Sequence, residues 1–228
     1  HLNTSTKEYQ LDNLIRKLPH FCDGLNITGR KILNASLRKN LSTAIKVFQF
    51  CGYIAETENY HHGNGSLEES IIKKAQSFVG SNNINLLVPS GQFGTRRHGG
   101  SDKASERYIF TKLESITRYI FPIEDDECLQ YCTDDNQVVE PEYYVPILPM
   151  ILINGSSGIG TGFSSDILCY HPLQIVDYLK QLLLESKEHE LPPIFIPYYE
   201  GFTGSITPLP ENHFLIKGIY TKISESNC

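Results

Sequence analysis

Residues 92–111, QFGTRRHGGSDKASERYIFT, form the stretch around which the rest of the sequence can be organised. The glycines in this stretch let a backbone approach a ligand closely. Its cations, from Arg96 to Arg107, suit phosphate, because a guanidinium can donate two parallel hydrogen bonds to phosphate oxygens. Tyr108 follows directly, and a phenol beside a cation and a base is a usable nucleophile. The alternative is a basic surface loop followed by an ordinary strand tyrosine.

Charge is divided unevenly along the 228 residues. The net charge of −6 argues, taken alone, against nucleic-acid binding, but residues 1–118 hold 16 basic against 10 acidic side chains. Residues 119–228 hold 4 basic against 16 acidic side chains. This pattern predicts a polyanion-binding face in the first half and a solvated acidic surface in the second.

The cysteines and the chain start indicate the compartment. None of the cysteines forms a C-x-x-C pair, so we expect reduced, mostly buried thiols in an intracellular protein; they are Cys22, Cys51, Cys128, Cys132, Cys169 and Cys228. No run of about 18 apolar residues occurs, which predicts no membrane span. The chain begins without Met or a signal region, as expected of an excised fragment.

Apolar spacing predicts helices in the first half. The first covers residues 7–18, with an apolar side made of Leu11, Leu14, Ile15 and Leu18. Thr28 is predicted to cap a second helix over residues 29–38, whose inward residues are Ile32, Leu33 and Leu37.

A third helix is predicted to start at Ser42 or Thr43 and to run to about residue 54. Its expected apolar face is Ala44, Ile45, Val47, Phe48 and Cys51. Two helices with a tight break indicate either a helix-turn-helix or an all-helical core pair. Ser66 and Glu69 predict a capping box for a helix over residues 67–78.

The rest of the chain is less regular. The long loop from residue 80 to residue 106 is of the kind that usually carries function. The acidic residues 124–127 and 134–135 predict exposed turns. Residues 145–153 are apolar but contain prolines, which favours extended chain. A helix is expected over residues 172–186, with Leu173, Val176, Leu179, Leu182 and Leu183 on its core side, followed by short strands.

Four segments resemble, in the same order, one known family. They are Asp23-Gly-Leu25 through Gly29-Arg-Lys31, Tyr60-His-His-Gly63, Gln92 through Thr111, and Ile153-Asn-Gly155 through Gly158-Ile-Gly-Thr-Gly162. Together they are similar to the catalytic tyrosine region of the type IIA DNA topoisomerases, eukaryotic branch, over about residues 20–165. Divergence elsewhere suggests a viral member.

The resemblance implies an α+β fold with three parts. A leading helix would occupy residues 1–20, a winged-helix (helix-turn-helix) domain with the catalytic tyrosine residues 21–138, and the beginning of an α/β tower domain residues 139–228. The whole enzyme would be an ATP-dependent, Mg²⁺-requiring homodimer that passes one DNA duplex through another. It would work in the nucleus, or in the host cytoplasm if viral. ATP and Mg²⁺ would bind domains absent here, so the fragment alone should hold no cofactor and should bind double-stranded DNA weakly without cutting it.

The resemblance also implies roles for individual residues. Tyr108 would attack a backbone phosphate and take the 5′ end, while Arg107 neutralises the developing charge. Arg30 would hold a phosphate oxygen, and His61 would donate a hydrogen bond at the same centre. Further DNA contacts would come from Asn26, Lys31, Tyr60, His62, Ser66, Gln92, Arg96 and Ile159, the last as an apolar wedge between base pairs. Asn26 stands where the family usually has a basic residue, which weakens its phosphate contact.

Two other functions remain open on the residues. Tyr108 could be a structural residue in a non-catalytic winged-helix module. The Gly-rich turn after residue 155 could cradle a dinucleotide, although its spacing is not G-x-G-x-x-G. No metal site is expected at the histidine pair, because adjacent histidines point apart and no carboxylate or cysteine lies at ligand spacing along the sequence.

Overall fold

A computed structural model of the chain describes residues 2–184 and 195–221. Its helices are α1 (Leu2–Lys17), α2 (Ile27–Arg38), α3 (Val47–Thr57), α4 (Asn64–Ala75), α5 (Thr117–Ile120), α6 (Met150–Ile153) and α7 (Pro172–Leu184). Its strands are β1 (Ile45–Lys46), β2 (Phe110–Thr111), β3 (Tyr131–Asp134), β4 (Gln137–Pro141), β5 (Ser156–Ile159), β6 (Ser164–Ile167), β7 (Ser205–Pro208) and β8 (Phe214–Lys217). In these residues the strands pair in order as four two-stranded antiparallel sheets. Helices mixed with small sheets confirm the predicted α+β class.

The first hydrophobic core lies between α2, α3 and α4. Spacings of three and four residues place one apolar stripe of each helix inside, made chiefly of Ile32, Ala35, Val47, Phe50, Cys51, Ile54, Leu67, Ile71 and Ile72. Phe93 and Ile109, which flank the glycine-rich basic stretch, join the same core. Burying a side chain of this kind contributes about 1.5–3 kcal/mol. The basic loop is therefore anchored at both ends in the core of the helical pair.

The predicted start of α3 was wrong. The sequence placed it at Ser42 or Thr43, but the helix begins at Val47 because the two residues before it pair with β2 as strand β1. The apolar face shifts with the start. Phe48, expected inside, is 52% exposed, and Phe50 is buried in its place.

Two predicted helix caps were also wrong. The N-cap of α2 is Asn26 rather than Thr28, and the Asn26 Oδ1 accepts a hydrogen bond from the Gly29 N–H at 2.9 Å. An asparagine amide oxygen satisfies an N–H of the first turn that has no partner inside the helix. Helix α4 begins at Asn64, so Ser66 lies inside the first turn and the capping box does not form.

A second core lies on the opposite side of α2. Leu33 and Leu37 contact a cluster of residues from the second half of the chain, which includes Phe121, Tyr144, Met150, Ile153 and Ile175. Asn154 ties the same region to residue 84, donating to the Ile84 carbonyl at 2.7 Å and accepting from its N–H at 2.9 Å. This core therefore spans the predicted boundary at residue 138; the boundary itself stays a prediction.

The apolar faces of the two outer helices were predicted wrongly. In α1, Leu11 and Ile15 are more than half exposed. In α7, Ile175 is the buried residue, whereas Leu173 and Leu183 are 65% and 87% exposed. An amphipathic pattern shows that a helix has an apolar side but not what covers it. Residues 185–186 of the predicted helix lie outside the described residues.

The hairpins agree better with expectation. Asp135 and Asn136 have φ values of +47° and +63° and make the tight turn between β3 and β4. Strands β7 and β8 confirm the expected short strands of the tail. Residues 145–153, expected to be extended, end instead in the short helix α6.

The five cysteines in the described residues are free, and Cys51 is buried as expected; Cys228 lies outside them. Of the helices described, none is long and apolar enough to cross a membrane.

Candidate active site around Tyr108

The basic loop before Tyr108 is closed on itself by hydrogen bonds. The Asp102 carboxylate accepts from the Thr95 N–H at 2.8 Å and from the Thr95 hydroxyl at 2.7 Å. These bonds hold the pKa of Asp102 below its usual value. The Gln76 side chain donates to the Phe93 carbonyl at 2.8 Å, which ties the loop to the end of α4. The loop is therefore a fixed support rather than a free connection.

Glycine is required where the loop crosses itself. Gly94 has a φ of +98°, and a Cβ built there would lie 2.4 Å from the Cα of Gly100. Side chains rarely adopt this backbone conformation, and the contact is with backbone that cannot move aside cheaply. The glycines noted in the sequence thus close the loop.

The end of the loop also caps α3. The Val47 and Phe48 N–H groups, which have no partner within the helix, donate to the carbonyls of Ile109 at 3.1 Å and Glu106 at 3.2 Å. Tyr108 lies between these two acceptors. Its backbone position is therefore fixed relative to the helix that follows the predicted helix-turn-helix break.

Tyr108 presents its phenol to solvent. The side chain is 72% exposed, and Arg107 beside it is also exposed. Among the described residues, no hydrogen bond or ion pair occupies either side chain. Both are free to meet a ligand, and an exposed guanidinium next to an exposed phenol suits a phosphate.

Arg30 has partners other than a phosphate. Its side chain is buried and donates to the Glu142 carbonyl, and its Nε lies 3.5 Å from the Asp23 carboxylate. Asp23 also accepts from the N–H groups of Leu25 at 2.8 Å and Tyr144 at 3.0 Å. The phosphate role of Arg30 stays a prediction, and it requires the guanidinium to give up part of this arrangement.

Lys31, also predicted to contact DNA, is buried in an ion pair. Its Nζ lies 2.6 Å from a Glu140 carboxylate oxygen and 2.6 Å from the Glu58 carbonyl. The carboxylate of Glu58 joins the same network by accepting from the Asn34 amide at 2.9 Å. Burial raises the pKa of Glu58 to about 7. No sequence pattern indicates this network, because its members are far apart along the chain.

His61 has a carboxylate neighbour that the sequence analysis missed. Its Nε2 lies 3.4 Å from the Asp134 carboxylate, and ligand atoms of His61, Asp134 and Asp135 all fall within 4.8 Å of one another. The expectation that no carboxylate lies near His61 was therefore wrong. The hairpin turn is brought there by Asn59, whose amide donates to the Asp134 carbonyl at 2.9 Å.

The tyrosine and the histidine lie at opposite ends of α3. Tyr108 is bonded to the first turn of the helix through its neighbours, whereas His61 follows its last turn. Eleven helical residues span roughly 16 Å. Among the described residues, no hydrogen bond or ion pair joins Tyr108 to Arg30 or His61. The predicted catalytic set is therefore split in one chain into a tyrosine side and a side made of Arg30 and His61.

Ile159 stands at the end of a hairpin. It is the last residue of β5 and is 76% exposed. The glycines beside it allow close packing on α1 and the residues after it. A Cβ on Gly158 would lie 2.7 Å from Pro19, and one on Gly160 would lie 2.4 Å from Leu14. Since β5 turns back into strand β6 rather than into a helix, the turn lacks the strand–turn–helix form that dinucleotide binding needs.

The other predicted DNA contacts lie on exposed parts of these elements. His62 faces Arg16, with 3.4 Å between Nε2 and a guanidinium nitrogen, and Tyr60 packs edge-on against His62. The remaining members, Asn26, Ser66, Gln92 and Arg96, are exposed, although the Asn26 oxygen is engaged as a cap. Their contacts with DNA stay predictions.

Comparison with known proteins identifies the family. The family model described as DNA gyrase/topoisomerase IV matches residues 16–227. The chain is 48% identical over 207 residues to the mitochondrial DNA topoisomerase 2 of Dictyostelium discoideum, a match that covers 91% of this chain and 16% of that protein. It is 49% identical over 203 residues to human DNA topoisomerase 2-alpha, covering 89% of this chain and 13% of that protein. The chain therefore spans about a sixth or less of these relatives.

A solved structure gives the same result. The DNA-binding, cleavage and re-ligation domain of Plasmodium falciparum topoisomerase II superposes with a TM-score of 0.92 at 43% identity, over 98% of this chain and 30% of that one. These matches confirm the family resemblance of the four sequence segments. The chain belongs to the DNA gyrase/topoisomerase IV family, in the branch of the type II DNA topoisomerases.

Proposed function

We propose that this chain is the DNA-binding, tyrosine-bearing part of an ATP-dependent type II DNA topoisomerase. The observation that carries the proposal is the exposed phenol of Tyr108. It lies beside the exposed Arg107, on a loop closed by hydrogen bonds and anchored in the first core. A nucleophile held in this way can meet a phosphate with little loss of freedom, which lowers the barrier of the step that follows.

The proposed reaction exchanges one phosphate ester for another. The Tyr108 oxygen attacks the phosphorus of a DNA phosphodiester, and its proton passes to a base. The bond from phosphorus to the 3′ oxygen breaks, so the 5′ end becomes linked to the tyrosine and a 3′-hydroxyl leaves. Arg107 offsets the charge that builds on the phosphoryl oxygens, and losing one such donor lowers the rate by roughly 10²–10³. The reverse step reseals the strand without consuming energy.

Mg²⁺ and ATP would be bound by other parts of the whole enzyme. The residues around Tyr108 do not fit a magnesium site of their own, because the nearby carboxylates are engaged. Asp102 accepts both hydrogen bonds from Thr95, and Glu106 accepts from Lys103 at 2.5 Å. We therefore assign no step in this chain to a metal ion.

The split of the predicted catalytic set supports a homodimer. Arg30 and His61 lie away from Tyr108, at the other end of α3, so one chain does not gather them around one phosphate. A second copy would supply the missing side. The predicted double-stranded DNA contacts, including Tyr60, His62, Ser66, Gln92 and Arg96, would then hold the duplex while Ile159 enters between base pairs, with unstacking offset by wider contact. An intracellular location, with access to DNA, follows.

A trapping experiment tests the proposal. The full-length protein is incubated with plasmid DNA and Mg²⁺, denaturant is added, and the residue linked to DNA is mapped by mass spectrometry. We expect a phosphotyrosyl link at Tyr108 that Tyr108→Phe abolishes. Tyr119→Phe is the matched control, because Tyr119 is 78% exposed and lies close to Tyr108 along the chain. A DNA link at another residue, or its persistence in Tyr108→Phe, would refute the assignment.

The rival function is a non-catalytic winged-helix DNA-binding module. The burial of Arg30 and Lys31 in protein contacts favours it, because two cations expected at the phosphate are engaged elsewhere. In that case DNA would bind with a steep salt dependence, but no covalent adduct would form. Supercoil relaxation by the 228-residue chain alone would contradict both functions.

A further inference from the structure

A basic cleft lies away from Tyr108, where α1, α2, α4 and β5 meet. It has a volume of about 330 Å³ and is lined by Lys17, Pro19, Gly24, Asn26, Gly29, Ser70, Lys73, Lys74, Gly155, Ser156 and Ser157. Three lysines and no carboxylate appear among these residues. Pockets that hold small ligands start at about 300 Å³, so the cleft is large enough for a compact anion.

Lys74 is the most informative residue of the cleft. It is partly buried, and among the described residues no hydrogen bond or ion pair engages its ammonium group. Burial lowers its pKa, which means that the surroundings do not stabilise its charge. Asp23 is the acid that acts on it, but the Asp23 oxygens already serve Arg30 and two backbone N–H groups. A bound anion would supply the missing countercharge.

The other groups around the cleft also suit an anion. Lys17 is exposed without an ion-pair partner in the described residues, and Lys73 has only a surface contact with Glu69 at 3.7 Å. The cleft opens at the N-terminus of α2, a 12-residue helix whose dipole favours negative charge. Gly29 leaves the first turn without a side chain, and a Cβ there would lie 3.3 Å from the Lys74 side chain.

We propose that this cleft is a phosphate-binding site for a ligand with two or more linked phosphates. Of its lining residues, only Asn26 belongs to the predicted DNA-contact set, so the site is additional to the one around Tyr108. Two sources carry the same chemistry: a free oligophosphate, or consecutive phosphates of a nucleic-acid backbone. The proposal does not depend on the topoisomerase function, because the cleft holds its anion whether or not Tyr108 reacts.

Inorganic pyrophosphate, without added divalent cation, is the first probe. Its binding to this chain is measured by isothermal titration calorimetry, and the shift in Tm is measured in parallel. We expect saturable binding to one site. The double variant Lys73→Gln with Lys74→Met should weaken it by about tenfold or more, since each charge-assisted hydrogen bond that is removed can be worth that factor. Lys180→Gln, an exposed lysine on α7 that does not line the cleft, should leave binding unchanged.

Circular dichroism checks that the double variant is folded, and Lys17→Gln provides a second test at an exposed position that unfolding does not confound. Absence of pyrophosphate binding to the wild type would overturn the proposal. Equal loss of binding in Lys180→Gln and in the cleft variants would also overturn it, because the attraction would then be general surface charge.

The DNA arm separates the two sources. If the cleft holds backbone phosphates, pyrophosphate should compete with a 30-base-pair duplex, and the double variant should lower the slope of log K against log salt by about one for each phosphate that is no longer bound. If DNA binding is unchanged while pyrophosphate binding is lost, the ligand is a free oligophosphate. Both results support the site, whereas DNA competition that survives unchanged in the double variant refutes it.

Discussion

Replacing Lys31 by Met should destabilise the fold far more than it weakens DNA binding. The Lys31 ammonium and the Glu140 carboxylate are 2.6 Å apart, with side chains only 9% and 7% exposed. Methionine keeps the length of the side chain but leaves the Glu140 charge buried without its partner. Breaking a buried pair from one side costs about 3–5 kcal/mol, which is a large share of the stability of a domain of this size.

The assay is urea unfolding at pH 7, with the midpoint and slope fitted for each variant. Lys112→Met is the control, since Lys112 is exposed and forms no ion pair among the described residues; it should change the free energy of unfolding by less than about 0.5 kcal/mol. In the double variant with Glu140→Gln the uncompensated charge disappears. That variant should therefore be more stable than the sum of the two single changes by about 2 kcal/mol.

The DNA measurement decides between the two roles of Lys31. If the lysine is structural, the double variant, once folded, should bind DNA with an unchanged salt slope. If the lysine contacts a phosphate, the slope should fall by about one. A stable Lys31→Met chain with a reduced slope would refute the reasoning, because the ion pair would then contribute little and the ammonium would have been available to DNA.

Three other positions can be tested separately. Because burial raises the Glu58 pKa from 4.5 to about 7, its contribution is complete below pH 4.5 and is lost as the pH rises through 7. Wild type should lose up to about 3 kcal/mol of unfolding free energy over that range, a loss that Glu58→Gln should abolish in pH-dependent urea titrations. Gly94→Ala, whose Cβ would strike Gly100, should cost about 2–3 kcal/mol in thermal unfolding, and Gly99→Ala, with open space and only a positive φ, about 1 kcal/mol. Ile159→Ala should reduce DNA bending measured by fluorescence energy transfer while leaving the salt slope unchanged; equal bending would exclude the wedge.

The features that the sequence predicted well are local ones. The helical spacing of Val47, Cys51 and their neighbours depends only on which residues lie three and four apart, so the existence of α2, α3 and α4 could be predicted. The loop before Tyr108 was also predictable, because its glycines and basic residues are adjacent. Errors at the helix starts arose where a distant partner intervened, as when β2 withdrew the two residues before Val47 from α3.

The features that the sequence could not predict are contacts between distant positions. Lys31 and Glu140 are separated by 109 residues, and His61 and Asp134 meet only because the β3–β4 hairpin returns to the end of α3. The basic cleft is made from four elements, none of which carries a recognisable motif. Lys73 and Lys74, read alone, are ordinary basic residues in the last turn of a helix.

The position of Tyr108 relative to α3 bears on how a site built from this chain can work. The helix is capped by the backbone on either side of Tyr108, so the tyrosine cannot move toward His61 without releasing the first turn. His61 in turn follows the last turn of the helix, beside Asp134 of the hairpin turn. Since α3 is packed into the first core along its length, shortening the separation would require unpacking that core. A phosphate that needs both groups is therefore met more cheaply by two copies of the chain, each offering one end of its helix, than by rearrangement of one.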